Sequence, residues 1–307
     1  MKNIRLDNIS PLAVASFAGL PDARQRELVQ GLVACLHGFA RQAQLTHAEW
    51  RAAVRFLHRV AALSNDERSE FTLLSDVTGL SSLVDLLATD PAARGAGAGN
   101  ATSMVEHRTT PGSVLGPFHT AGSPWLANPA NLIGDNPGQR MLLRGRVCDA
   151  AGQPLPGATL DFWQNAANGL YWQIDPSQPS DNLRCQLAVD ADGCFEIATL
   201  RPVPYQIPTD GPVWSDLVAP AGRSAWRPAH LHLIVSAPGH RTLVTELFDA
   251  DDPYLDSDAV FGVRDALVHR YQTVQDADTC ARLGWPGDEY NMMAVELRLA
   301  ALAGTAT

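Results

Sequence analysis

The sequence predicts a mainly β protein with an α-helical N-terminal part, in which a set of helices precedes an antiparallel β-sandwich. Three observations carry this reading. Apolar residues recur at helical spacing from about Pro21 to Leu87, and they alternate in short runs from Met141 onward. Between the two regimes lies a Gly/Ala-rich stretch, Ala92–Asn100, too small in side-chain volume to build a core.

The helical part comes first. Trp50, Val54, Leu57 and Ala61 follow one another at steps of four, three and four, which puts them on one face of a helix. Thr46 and Glu49 stand at capping-box spacing, where each side chain satisfies a free backbone donor at the helix start. A helix over Thr46–Leu63 follows, with further helices over Arg24–Ala43, Asp66–Ser75 and Ser81–Leu87. Cys35 is expected to lie in the core of the first of these. Ala92–Asn100 reads as a hinge, dividing the chain into a helical domain, 1–100, and a β domain, 101–307.

The β part is built from alternating runs at 142–147, 158–164, 194–200 and 230–237. Turn signals separate them, among them Pro156-Gly157, Asp192-Gly193 and Pro238-Gly239. Short alternating strands punctuated in this way are the pattern of a sandwich with long loops.

Composition narrows the function. The chain has 307 residues and is 46% hydrophobic, enough for a substantial buried core. A formal charge of −10 would repel nucleic acid and anionic membrane surfaces, which leaves small molecules or proteins as partners. The five cysteines include no Cys-x-x-Cys pair and are odd in number, so they read as reduced thiols in a cytosol. No run approaches the roughly 18 apolar residues of a membrane span, and the first twenty residues lack a signal-peptide core.

Chemistry concentrates in two places. His230 and His232 stand two apart on an expected strand, so their rings share a side while Ala229, Leu231 and Leu233 face the other. Two imidazoles placed this way can grip one metal, although a solvent-facing pair is the plainer reading. Tyr171 follows the turn-prone run 165–170, and Tyr205 lies in the proline-rich run 202–212. Each tyrosine alone reads as a packing residue with its hydroxyl at the surface.

Four motifs in order change the balance: Gly116-Pro117-Phe118; Asp161 to Asn165 leading to Gly169-Leu170-Tyr171; Tyr205 to Pro212; and Arg227-Pro228-Ala229-His230-Leu231-His232. Together with the helical first part they resemble the intradiol ring-cleaving dioxygenases, in the branch of the catechol and hydroxyquinol 1,2-dioxygenases. Gln206, Trp172 and Trp214 depart from the usual pattern around the pocket. The resemblance implies one Fe(3+) per chain held by Tyr171, Tyr205, His230 and His232. Phenolates are hard anionic donors suited to a ferric ion.

The resemblance further implies that Tyr205 doubles as general base and that Arg227 stabilises negative charge beside the substrate, a surface ion pair being the alternative for Arg227. It implies a pocket lined by Leu73, Asp76, Val114, Leu115, Gly116, Pro117, Phe118, Ile207, Pro208 and Val260, which would receive an aromatic diol and O2. A homodimer paired through its helical parts, with lipid in an apolar channel there, is implied as well. Asp76 favours hydroxyquinol, cleaved to maleylacetate, over catechol, cleaved to cis,cis-muconate. Two competing readings are a ferrous site of His230, His232 and Glu246, and a non-catalytic β-sandwich binding module.

Overall fold

Thr46 and Glu49 form the capping box their spacing predicts. Thr46 donates through its backbone N (2.8 Å) and Oγ1 (2.7 Å) to Glu49 Oε2, and Glu49 N donates back to Thr46 Oγ1 at 3.3 Å. The computed structural model describes residues 3–66, 68–89 and 109–302, and the chain divides into two compact units, Met1–Arg59 and Val60–Thr307. The hinge at Ala92–Asn100 lies outside the described residues.

In the first unit α1 (Ile9–Ser16) packs on α2 (Ala23–Gln42), tied by Gln30 Nε2 donating to the Val14 carbonyl at 3.0 Å. Asp22 caps α2 by accepting from Gln25 N at 2.6 Å. α3 (His47–Leu63) follows the capping box. The predicted stripe on α3 is real, but Trp50 is 54% exposed and Val54 and Leu57 are exposed as well. On α2, Leu28, Leu32, Leu36 and Phe39 are also exposed, and Cys35 is exposed rather than in a core. Helical periodicity identifies an apolar face without saying what covers it, which is why the expectation for Cys35 failed.

The second unit holds α4 (Glu70–Val77), α5 (Leu80–Thr89) and the strands. The helix expected over Asp66–Ser75 begins later, at Glu70, because Ser69 is the cap: its side chain accepts from Thr72 N at 3.1 Å. Among the described residues two five-stranded sheets and a short ribbon follow. The strands are β1 (Ala130–Asn131), β2 (Arg140–Asp149), β3 (Thr159–Trp163), β4 (Arg184–Ala188), β5 (Cys194–Leu200), β6 (Tyr205–Gln206), β7 (Trp226–Arg227), β8 (His230–Ser236), β9 (Leu243–Asp249), β10 (Val268–His269), β11 (Gln272–Gln275) and β12 (Glu289–Leu299), with helix α6 (Ala277–Leu283) before the last.

One sheet runs β1-β5-β2-β12-β11, the other β10-β9-β8-β3-β4, and β6 pairs with β7. The sheets are mixed rather than purely antiparallel, since β2–β12, β1–β5 and β9–β10 pair in parallel. The long β2–β12 pair joins segments more than a hundred residues apart, a pairing no local turn signal encodes. Leu143, Val147, Phe195 and Leu297 from the first sheet meet Leu160, Phe162, Leu231, Leu233 and Leu247 from the second, all buried. At about 1.5–3 kcal/mol per buried large side chain, this layer is the main support of the fold. Gly157, Gly193 and Gly239 take positive φ at the three predicted turns.

Register places the chemistry. β8 lies between β3 and β9, so His232 sits opposite Trp163 on one side and Glu246 on the other, and His230 sits opposite Phe248. In the ribbon Tyr205 is opposite Arg227.

Candidate metal centre

Alternation along β8 turns Leu231 and Leu233 into the core and both histidines to the other face, where all are buried. His230 Nδ1 lies 2.6 Å from the Pro228 carbonyl, which accepts its proton and turns Nε2 inward. His230 Nε2 lies 3.1 Å from His232 Nε2, and His232 Nε2 lies 3.1 Å from the Tyr171 hydroxyl. The Trp163 ring stacks on His232 at 4.7 Å, nearly parallel at 4°, and fixes its plane.

Tyr171 and Tyr205 meet edge to face at 5.4 Å, and Tyr205 lies 5.5 Å from the His230 ring. Phe118 stacks on Tyr171 at 4.5 Å. Both hydroxyls are therefore buried, against the surface position that is usual for a loop tyrosine. The Tyr205 loop is held to α4: Arg68 forks onto Asp210 at 2.7 and 2.9 Å and pairs with Glu70 at 3.0 Å, while Glu70 accepts from Val213 N at 3.3 Å.

Arg227 is 1% exposed, which removes the surface-ion-pair reading. Its Nη1 and Nη2 donate to Glu246 at 2.7 and 3.1 Å, and its Nε and Nη2 donate to Asp258 at 3.0 and 3.2 Å. Burial works against this charge, but Asp258 and Glu246 outweigh it and raise the Arg227 pKa well above its ordinary value. Burial also opposes the Glu246 charge, and Arg227 with the two histidines holds its carboxyl at about 2.

The same burial, with Arg227 adding to it, lowers His230 to about 4, and burial with His230 lowers His232 further, so both imidazoles are neutral at pH 7. Burial raises both tyrosines, most strongly Tyr171, where Tyr205 adds to the effect. Two neutral imidazoles with converging Nε2 atoms and two buried phenols form a donor set that fits a hard cation. Two ligand nitrogens each about 2.1 Å from one ion sit about 3 Å apart at right angles, which matches the spacing of the two Nε2 atoms. His230, His232 and Glu246 also present ligand atoms within 4.8 Å of one another.

The residues expected to line the pocket differ in exposure. Gly116 has φ +75°, and a Cβ there would sit 3.3 Å from His232 Cε1, so this backbone lies directly against the histidine. Leu73, Val114, Ile207 and Val260 are buried, Pro117 and Pro208 are half-buried, and Leu115 is 37% exposed. Asp76 is 1% exposed, with neither carboxylate oxygen hydrogen-bonded. Ser81, a polar neighbour, donates instead to Ser75 Oγ at 2.8 Å. Burial pushes the Asp76 carboxyl up to about 6, against the pull of Ser81 and Arg227.

The sequence offers Glu246 only as an alternative ligand, gives no local signal for Asp258, Ser113 or Gly262, and shows Trp163 only as part of the Asp161 to Asn165 motif. Only the pairing register of β3, β8 and β9 reveals Trp163 and Glu246 as neighbours of His232.

Residues 115–295 match the family described as Dioxygenase, and residues 22–97 match Catechol dioxygenase N terminus. The first match alone spans more than half of the chain. This chain belongs to the intradiol ring-cleavage dioxygenases. Among curated relatives of this dioxygenase is the hydroxyquinol 1,2-dioxygenase of Rhizobium sp. (strain MTP-10005), 39% identical over 277 residues, covering 89% of this chain and 88% of the relative. The crystal structure of hydroxyquinol 1,2-dioxygenase from Pseudomonas putida DLL-E4 superposes with a TM-score of 0.77 at 41% identity, covering 97% of this chain and 99% of that one. Catechol 1,2-dioxygenase from Pseudomonas arvilla C-1 does so with a TM-score of 0.80 at 29% identity, covering 97% and 93%. Membership of an enzyme family removes the binding-module reading. Among the described residues of the dioxygenase, no single helix is long and apolar enough to cross a membrane.

Proposed function

We propose that this dioxygenase cleaves hydroxyquinol (1,2,4-trihydroxybenzene) between its adjacent hydroxyl-bearing carbons, taking up O2 to give maleylacetate, at one Fe(3+) held by Tyr171, Tyr205, His230 and His232. Ferric iron bound there would draw electron density from a chelated diol and make its ring carbons reactive toward dioxygen. The converging Nε2 atoms and buried phenols support the ligand set. Glu246 is less suited to be a ligand, because Arg227 and Ser113 already occupy both of its oxygens.

The protein's own groups do the rest. Tyr205, ionised where it would hold the iron, can take the proton of a substrate hydroxyl at its phenolate oxygen, as general base. Arg227 donates to oxygen where negative charge builds. Phe118, Gly116 and Pro117 wall one side of the ring, with Leu73, Val114, Leu115, Ile207, Pro208 and Val260 completing an apolar lining that excludes water.

The observation that carries the substrate is Asp76. A buried carboxylate with no hydrogen-bond partner costs about 1–3 kcal/mol, which a third ring hydroxyl would recover by donating to it and catechol would not. Catechol, giving cis,cis-muconate, is the second reading, supported by the likeness to the Pseudomonas arvilla enzyme. Oxygen uptake with both diols in wild type and Asp76→Ala tests the choice: kcat/KM should favour hydroxyquinol, and the substitution should erase that preference. A wild-type preference for catechol, or a hydroxyquinol preference that survives unchanged, would reject this role.

The exposed apolar faces of α2 and α3 support a homodimer paired through residues 1–100, with lipid lodged between apolar side chains; we read residues 101–307 as the catalytic domain and, from the unbridged cysteines, the protein as cytoplasmic. Sedimentation and lipid extraction of the purified protein test this part.

A further inference from the structure

Arg227 has five N–H groups. Four point at carboxylates: Nε–H and one Nη2–H at Asp258, the other Nη2–H and one Nη1–H at Glu246. The fifth, on Nη1, faces His230 Nε2 at 3.1 Å. With His230 Nε2 holding a metal in the site proposed above, its lone pair would no longer accept from Arg227, and this N–H would be left as the single Arg227 donor directed into the cluster of ligand side chains. Arg227, Glu246 and Asp258 together carry one net negative charge. The guanidinium therefore acts as an aimed donor, not as a source of net positive charge.

Glu246 is the joint of this arrangement. It is fully buried, and its Oε1 accepts from Arg227 while lying 3.4 Å from His230 Nε2 and 3.5 Å from His232 Nδ1, a ring nitrogen with no closer partner. Its Oε2 accepts from Arg227 Nη2 and lies 2.6 Å from Ser113 Oγ, whose single proton goes either there or to the Gly262 carbonyl at 2.8 Å. Gly262 N donates to Asp258 Oδ2 at 2.8 Å. A Cβ on Gly262 would sit 2.7 Å from both Arg227 Nη2 and Glu246 Oε2, so only glycine leaves room for the assembly. Three other chain segments, around Ser113, Arg227–His232 and Asp258–Gly262, thus converge on the Glu246 side chain.

We propose that Glu246 is a positioning residue of this dioxygenase, a buried carboxylate that holds Arg227 and the Nδ1 edge of His232 in one frame and so aims a single Arg227 N–H at the reacting oxygens. Asp258 closes the opposite side of the guanidinium. Carboxylates behind a metal-binding histidine commonly orient the ring in this way, and their loss costs roughly 10–100-fold. Here the same oxygen also meets the arginine, which couples the orientation of the ligand to that of the donor.

The inference rests on the proposed iron site, so the test reads the two separately. Glu246→Gln preserves size and removes the charge and one acceptor. Iron content and the tyrosinate absorption band report the site itself, and a wild type lacking both would overturn the site and this inference together. With the band present in wild type and variant, kcat for hydroxyquinol should fall roughly 10–100-fold in Glu246→Gln while KM changes much less. The ferric/ferrous midpoint potential should move positive, because a negative charge beside both histidines is gone.

If Glu246 acts through Arg227, adding Glu246→Gln to Arg227→Lys should cost less than about threefold further, since residues acting as one unit are non-additive. Ser113→Ala, which removes no buried charge, should lower kcat in the same sense. Unchanged kcat in Glu246→Gln, or losses that multiply in the double variant, would overturn the positioning role.

Discussion

Replacing Asp76 by asparagine should stabilise the metal-free, substrate-free protein, and by an amount that depends on pH. Burial raises the Asp76 carboxyl from 3.8 to about 6 in the folded chain. A raised carboxyl favours folding fully below the unfolded value, and the advantage is lost as pH rises through the folded value. Above that, ionised Asp76 opposes folding. A difference of about two pKa units corresponds to ~3 kcal/mol at pH 7 and above. The amide of the Asp76→Asn variant carries no charge at any pH, so the stability gap between variant and wild type should be smallest below about pH 4, grow between pH 4 and 6, and level off near ~3 kcal/mol. Urea unfolding of both proteins from pH 4 to 8, with equal m-values, measures it. A gap that stays constant with pH would refute the account of Asp76 as a buried, unsatisfied carboxylate, and with it the physical reason for preferring a third hydroxyl on the substrate.

Other perturbations follow from the same geometry. Arg227→Ala leaves Glu246 and Asp258 buried without their cation and should cost about 3–5 kcal/mol of stability. Arg227→Lys keeps the charge but loses the fork, so it should retain iron and lose at least roughly tenfold in kcat, about 1.4 kcal/mol. Full turnover in Arg227→Lys would argue against an aimed donor. Gly116→Ala forces a side chain into positive φ against His232, at about 1–2 kcal/mol, and should lower both thermal stability and iron retention. Iron uptake by the metal-free protein should release protons from the two buried phenols and strengthen with rising pH, which potentiometric titration reads directly.

Much of this architecture was readable from local pattern. Thr46 and Glu49 announced a helix start, the glycines at 157, 193 and 239 announced turns, and the two-residue spacing of His230 and His232 put both rings on one side of a strand. Those signals act over a few residues, so they can be read without knowing the tertiary context. What the sequence concealed was long-range. The parallel β2–β12 pairing joins distant segments, and the frame around Arg227 draws on Ser113, Glu246, Asp258 and Gly262, none close to it in sequence. Cys35 is exposed where helical spacing predicts a core position, because an apolar helical stripe specifies a face and not its cover. Tyr171 and Tyr205 looked like rim residues until register brought Arg227 and the histidines against them.

Two buried tyrosines and two histidines are proposed to hold a ferric ion. Iron content and visible absorption of the purified wild type and of Tyr171→Phe, which keeps the ring stacked on Phe118 and removes only the hydroxyl, test it most directly. The expected result is about one iron per wild-type chain with a broad visible band from tyrosinate-to-iron charge transfer, the band and activity both lost in Tyr171→Phe. An active, colourless wild type, or a Tyr171→Phe variant that keeps the full band, would contradict the ligand assignment and turn attention to His230, His232 and Glu246 as a ferrous site.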